Sequence, residues 1–273
     1  MSILKDKVIV VLGASSGIGE ACSKYFAENG AKVFIAARRE ERLIAIKNEV
    51  QSKNGIMEYM VCDAVDFNSV QKLGDAAVEK FGDIDVWFNC CGQNKSIGNF
   101  WEIDMNCSWQ EVEVDLKSTF NGTHVAINKM IKKDSGIILN FCGGGTCHPH
   151  LYAAAYSSAK TAIARFTEAV YLELEQQNSN INLLCATPGL VHNERTQLLC
   201  DDEHSKKYMP DIGAIFARGG GQSPLNTAYL VEKALEGKLD AYKGRFVYGN
   251  NLEKALENAP TIKGTDKGLL RMV

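Results

Sequence analysis

Tyr156 and Lys160 stand four apart in Tyr-Ser-Ser-Ala-Lys, inside a stretch where Ile163, Phe166, Val170 and Leu174 recur at helical spacing. That spacing puts the phenol and the amine on one helix face, within reach of a common point. A phenol with a reference pKa of about 10 is a poor acid or base at neutral pH. A neighbouring ammonium favours tyrosinate and turns the pair into a device for moving a proton to or from an oxygen atom. The pair also occurs as ornament on helices, so its meaning depends on its company.

That company begins at the N-terminus. Val8-Ile-Val-Val-Leu-Gly13-Ala-Ser15-Ser16-Gly17-Ile18-Gly19 joins an apolar run to an amphipathic one through three glycines. Such a turn lets backbone approach closely and aims helix N–H groups and a positive dipole end at a pyrophosphate. The next β-branched run ends at Ala37, about 24 residues after Gly13, where an acid would read the ribose of NAD. Ala37 cannot accept from a 2'-hydroxyl. Arg38 and Arg39 follow it and offer guanidinium forks to a 2'-phosphate, so the expected cofactor is NADP(H). Arg38 is expected to carry that contact, and Arg39 to lie on the solvated first turn of the next helix.

The elements that must position these groups read as alternating strands and helices. Lys7–Leu12, Lys32–Ala37, Met57–Cys62, Ile84–Asn89, Gly136–Phe141 and Ile181–Ala186 read as strands, and Gly244–Tyr248 as a seventh. Several are apolar throughout, as strands covered on both faces must be. Ile18, Cys22, Tyr25 and Phe26 share one helix face. The alternation predicts one α/β domain over 1–273, a Rossmann-type, doubly wound parallel sheet of about seven strands with helices on both faces. Two stretches break the rhythm. Residues 190–222 read as an irregular substrate lid carrying Arg195, Lys206, Lys207 and Arg218 beside Met209, Ile212, Ile215 and Phe216, and 250–273 as a C-terminal tail.

Composition narrows the function classes. A net charge of -3 without clustered Lys or Arg gives no field suited to nucleic acid. No apolar run approaches the ~18 residues of a membrane span, and the N-terminus lacks a signal peptide, so a cytoplasmic protein is expected. The nine cysteines form no C-x-x-C pair and sit mostly in apolar runs, which suits reduced, packed thiols rather than disulfides or a metal site. His148, His150 and His192 read as cavity rim.

Taken in order, Gly13-x-x-x-Gly17-x-Gly19, Asp63, Asn89-Cys90-Cys91-Gly92, Tyr156-Ser-Ser-Ala-Lys160 and Pro188-Gly189 resemble the landmarks of the short-chain dehydrogenase/reductase family, across roughly residues 5 to 250. The resemblance implies that Asp63, with Ala64 beside it, meets the adenine amino group, and that Asn89, Cys90 and Gly92 line the adenosine ribose while steadying the sheet. It implies that Lys160 also holds the nicotinamide ribose, and that Pro188, Gly189, Val191 and Asn193 hold the carboxamide. By the same resemblance, helices over Trp109–Lys132 and Ala155–Glu175 pair copies into dimers or tetramers.

The chain departs from the family pattern at two positions near the chemistry. The serine expected thirteen residues before the tyrosine is Gly143, preceded by Cys142 and followed by Gly144-Gly145-Thr146. Backbone N–H groups of 143–145 are the expected substitute, as an oxyanion hole. Asp115 stands where the family has an asparagine whose carbonyl holds a relay water; its carboxylate, turned inward, would favour charged Lys160. The leading expectation is an NADP(H)-dependent oxidoreductase acting on a small carbonyl or secondary alcohol. A sugar epimerase or dehydratase on the same scaffold and a non-catalytic NADP-binding sensor are the alternatives.

Overall fold

The computed structural model describes residues 2–270. Its strands are β1 (Val8–Leu12), β2 (Lys32–Ala37), β3 (Ile56–Val61), β4 (Val86–Asn89), β5 (Gly136–Phe141), β6 (Ile181–Thr187) and β7 (Phe246–Tyr248). The helices are α1 (Gly17–Glu28), α2 (Glu40–Ser52), α3 (Phe67–Phe81), α4 (Met105–Val112), α5 (Ser118–Met130) and α6 (Ala154–Gln176), then α7 (Glu194–Asp201), α8 (Glu203–Tyr208), α9 (Pro210–Ala217), α10 (Asn226–Leu235) and α11 (Leu252–Ile262).

All strand pairs are parallel, in the order β3-β2-β1-β4-β5-β6-β7. Side chains alternate across the pleat and feed two cores. Ile9, Val11, Val33, Ile35, Phe88 and Leu184 pack under α1, α2 and α10. Val10, Leu12, Phe34, Trp87, Ile138 and Leu183 pack under α3 and α5 with the end of α6. This is why the strands read as continuous apolar runs: each face has its own helices to satisfy. The α/β reading of the sequence therefore holds, with strand ends displaced by one or two residues. On α6 the buried side is Ala159, Ile163, Thr167 and Leu174, whereas Phe166 leaves the core to stack on Phe120 at 3.8 Å between ring centres.

Segment 190–222 is not irregular. It folds as the three short helices α7, α8 and α9, followed by a bridge between Val191 and Gln222. Each helix has eight residues or fewer and lacks a long amphipathic period; Asn193 caps α7, Asp202 caps α8, and α9 opens on Pro210. The tail also has structure. Ala255 and Ile262 of α11 join the core, and the Tyr242 hydroxyl donates to the Ala255 carbonyl at 2.9 Å. The chain then returns beside the edge strand, where the Phe246 N–H donates to the Gly268 carbonyl at 2.9 Å and Arg245 donates to the carbonyls of Thr265 (2.6 Å) and Lys267 (2.7 Å). The last strand is thereby covered rather than left as an open edge. The tail reading over 250–273 extends to 271–273, which lie outside the described residues. Among the described residues no helix is long and apolar enough to cross a membrane.

Candidate active site

The C-terminal ends of β1, β2, β3 and β4 open onto a cleft of about 340 Å³. At a doubly wound sheet this is where ligands are expected, outside the strand ends where the winding reverses. Gly13, Ser15, Ser16, Gly17, Ile18, Arg38, Arg39, Asp63, Ala64, Cys90, Gly92 and Asn193 all line it, so most of the cofactor positions read from the sequence converge. The glycine turn is a close fit. A Cβ on Gly13, at φ +95°, would come within 2.7 Å of the Cys91 nitrogen, and one on Gly19 would overlap the Gly13 carbonyl oxygen. Glycine is thus what lets the turn pack against the start of the segment after β4, and α1 begins at Gly17, which with Ile18 puts the helix N-terminus at the cleft.

Asn89 belongs beneath the cleft rather than in it. Its Oδ1 accepts from Trp87 Nε1 at 2.8 Å, and its Nδ2 donates to Thr123 Oγ1 (3.2 Å) and Asn140 Oδ1 (2.8 Å). Asn140 in turn donates to Thr167 at 3.1 Å. Both amide protons of Asn89 are used inside this buried network, so its side chain ties β4, β5 and α5 together and has no donor left for a ribose. Pro188 and Gly19 likewise act on the backbone path rather than at the cleft wall.

A second cavity, about 690 Å³, lies beyond the end of β5 and β6. Gly143, Tyr156, Gly189 and Val191 line it together with Asn94, Thr146, His148 and His150. Of the segment read as a lid, Met209, Ile212 and Ile215 face this cavity along with Arg195. The other basic residues turn elsewhere: Lys206 pairs with Glu203, Lys207 lies over the Tyr208 ring and Arg218 donates to the Ala214 carbonyl. His192 is also turned away, stacked on Phe216 and hydrogen-bonded to Gln197 at 2.8 Å. The cavity wall is therefore mainly apolar. Ile18 and Arg195 line both spaces, and the two meet there.

Tyr156 lines the second cavity, and Lys160, one turn on along α6, sets its ammonium 3.3 Å from the Cβ position of Gly92 at the first cleft. Lys160 is buried at 3% exposure, with its ammonium 5.5 Å from the Tyr156 ring centre and 3.5 Å from the Phe141 carbonyl oxygen. Asp115 explains how a lysine stays charged there. Its Oδ1 lies 3.7 Å from Lys160 Nζ and accepts the Gln93 N–H at 2.8 Å. Burial opposes the ammonium, but Asp115 and then Tyr156 outweigh it, and Lys160 is held above its ordinary range. Asp115 carries the strain of the pair. Burial pushes its carboxyl above the ordinary range against the pull of Lys160, the Gln93 N–H and Arg195, and its Oδ2 has no hydrogen-bond partner. We take the ion pair as formed, because an isolated ammonium this deep would be costlier still. The main-chain carbonyl of Asp115, expected to hold a relay water, accepts from Thr119 Oγ1 at 2.9 Å. The segment Glu113–Lys117 is a π-helical turn, the kind of local widening that re-aims side chains at functional sites.

The substitute foreseen for the missing serine is only partly available. The Gly143 N–H donates to Thr146 Oγ1 at 3.1 Å, and that hydroxyl donates back to the Gly143 carbonyl at 2.8 Å, so this N–H is committed to the turn. A Cβ on Gly143 would overlap the Tyr156 hydroxyl oxygen. Glycine at this position is what allows the phenol to stand where it does.

Sequence reading missed four residues here. Glu111 is buried and holds the 93–96 loop by accepting the N–H groups of Lys95 (2.5 Å) and Ser96 (2.8 Å). Glu111 lies one turn before Asp115, a spacing that was visible in the sequence. Thr146 staples the glycine turn, and Asn94 lines the cavity with a buried, unpartnered Oδ1. Glu194 pairs with Arg39 across the cleft at 3.0 Å. Arg39, half exposed at the start of α2 as expected, is also held by this pair, while Arg38 is exposed at the cleft wall. Cys22, Cys62, Cys142 and Cys185 are buried thiols, whereas Cys147 is exposed; burial pushes Cys22 and Cys90 up to about 12, and hydrogen bonding to Cys185 with burial holds Cys142 well above its usual value.

Comparisons with known proteins agree with this geometry. Residues 7–204 match the family model described as short chain dehydrogenase. An uncharacterized oxidoreductase of Staphylococcus saprophyticus is 33% identical over 74% of this chain and 81% of its own, and one of Listeria innocua is 27% identical over 90% and 97%. Among solved structures, a variant of actinorhodin polyketide ketoreductase with NADPH superposes with a TM-score of 0.80 at 24% identity, covering 92% of this chain and 99% of that one. With a family match over most of its length, set on the fold and landmarks described above, the chain belongs to the short-chain dehydrogenase family of oxidoreductases.

Proposed function

We propose that the chain is an NADP(H)-dependent carbonyl reductase and secondary-alcohol dehydrogenase, with Tyr156 as acid and base and Lys160 assisting. The observation that carries this reading is the Tyr156 phenol in the wall of an apolar cavity, one helical turn from a buried ammonium that borders Gly92 of the glycine-turn cleft. The glycine turn fits a dinucleotide pyrophosphate, since Ser15, Ser16, Gly17 and Ile18 line the cleft at the N-terminal end of α1. Ala37, with no acceptor for a 2'-hydroxyl, and Arg38 and Arg39 beside Ser15 favour the phosphorylated cofactor. The ketoreductase of similar fold carries NADPH, which supports the same choice.

When bound, the dinucleotide would supply hydride to the carbonyl carbon. The Tyr156 hydroxyl gives its proton to the carbonyl oxygen, and the Lys160 ammonium stabilises the tyrosinate left behind. Asp115 keeps that ammonium charged and fixed. Asp63, Ala64, Cys90 and Gly92 would hold the adenosine half, and Val191 and Asn193 the nicotinamide amide. Segment 190–222 would close over the substrate, and its apolar lining favours a ketone of small to medium size with a hydrophobic body. Two or four copies would pair through α4 to α6.

The test is NADPH oxidation across a panel of ketones, with cofactor affinity measured separately. Wild-type turnover should fall about 10²- to 10⁴-fold in Tyr156→Phe, the span general acid–base catalysis covers, while NADPH affinity stays within about threefold. Tight NADPH binding with no turnover on any ketone would instead favour a sensor.

A further inference from the structure

Arg39 is held from two sides. Its Nη1 donates to both oxygens of Glu194, at 3.0 and 3.1 Å, while its Nε donates to Ser15 Oγ at 3.2 Å and its Nη2 to the Ser15 carbonyl at 3.4 Å. Arg42 adds a second guanidinium 3.8 Å from the same carboxylate. Ser15 belongs to the glycine turn, Arg39 is the N-cap residue of α2, and Glu194 is the first residue of α7. Those three segments meet at the part of the cleft where the 2'-phosphate of NADP(H) belongs on the reading above. The rest of the same turn also lies across the cleft: Asn193 packs 3.4 Å from the Cβ position of Gly17, and Arg195 Nη1 is 3.3 Å from that of Gly92.

A guanidinium donates to carboxylate and phosphate oxygens alike, and here Arg39 Nη1 gives its hydrogen bonds to the carboxylate. The Glu194 carboxylate is thus an internal stand-in for the phosphate. Its bond to Arg39 is half exposed, 39% on one side and 42% on the other, and such pairs break easily. We propose that Glu194 is a specificity-determining residue: it holds Arg39 until the 2'-phosphate of NADP(H) replaces it, and the exchange releases the first turn of α7 from the cofactor cleft. NAD(H) has no group to make that exchange and leaves the pair intact. This inference rests on the NADP(H) reading of the site and goes beyond it by assigning the competitor.

The measurement is the equilibrium dissociation constant of NADPH and of NADH, by nicotinamide fluorescence, for wild type, Glu194→Gln, Arg39→Gln and the double variant. Glu194→Gln should tighten NADPH about three- to fivefold, the change an exposed ion pair supports, and leave NADH within twofold. In the Arg39→Gln background the same substitution should do nothing. If wild type prefers NADPH and Arg39→Gln weakens it, but Glu194→Gln leaves it unchanged, weakens it, or tightens both cofactors equally, the exchange is overturned and the cofactor reading stands. If wild type binds NADH as tightly as NADPH and Arg39→Gln alters neither, both fall together.

Discussion

Gly143 shows how far one position can constrain the chemistry around it. The family pattern puts a hydroxyl there, and the absence of that hydroxyl reads at first as a loss. In the structure a Cβ on Gly143 would overlap the Tyr156 hydroxyl, so a side chain at 143 would displace the phenol from where it stands. Gly143→Ser should therefore fail to restore a donor. We expect kcat on the best ketone to fall at least tenfold and the fold to lose about 1–3 kcal/mol, as overpacked positions do, read by steady-state kinetics and urea unfolding. A serine variant that turns over faster than wild type would mean that Tyr156 works from a different position. The sequence revealed Tyr156 and Lys160 because i, i+4 spacing is local. It did not reveal that the Gly143 N–H is spent on Thr146, because that bond depends on how the glycine turn closes.

Between the residue and the fold, α4 and the π-helical turn after it carry two buried acids in succession, Glu111 and Asp115. Glu111 anchors the loop that follows β4, and burial pushes its carboxyl above its ordinary 4.5 even though the N–H groups of Lys95 and Ser96 pull it down. The sign of its effect on stability follows. A carboxyl whose folded pKa is raised keeps its proton in the native chain after the unfolded chain has released it, so stability is full below 4.5 and is lost as pH rises above that value. Glu111→Gln keeps an acceptor for both N–H groups and does not ionise. The unfolding free energy of wild type minus that of Glu111→Gln should decline as pH rises from the ordinary carboxylate range to neutrality. A difference that stays flat with pH, or rises, would show that Glu111 is not strained by burial. Elements of this kind were only partly legible. The strands announced themselves as apolar runs between glycines, but α7, α8 and α9 are too short to impose a period and take their apolar side from the cavity they border. The Arg39–Glu194 pair joins residues 155 positions apart, and no local pattern reports such a contact.

At the scale of the whole molecule, strand order and two-sided covering follow from parallel strands joined by right-handed crossovers, which is why the α/β reading could be made from alternation alone. What alternation cannot say is which outer surfaces stay wet. Here α4, α5 and α6 carry large apolar side chains left in water in one copy: Trp109 is 63% exposed, Leu172 51% and Phe120 44%, the last stacked on Phe166. Exposed apolar side chains of this size are costly to leave in water and suit an association surface. Family resemblance puts the pairing of copies on these helices. Trp109 makes the cleanest probe, because a side chain this exposed contributes little to the fold of one copy. Wild type should sediment as a dimer or tetramer at micromolar concentration, and Trp109→Glu, which sets a charge into an apolar contact, should shift the distribution towards monomer while the unfolding midpoint of the isolated chain changes little. A wild type that stays monomeric at tens of micromolar, or a variant with an unchanged sedimentation profile, would remove this face from the assembly and leave the exposed aromatics without a partner of their own kind.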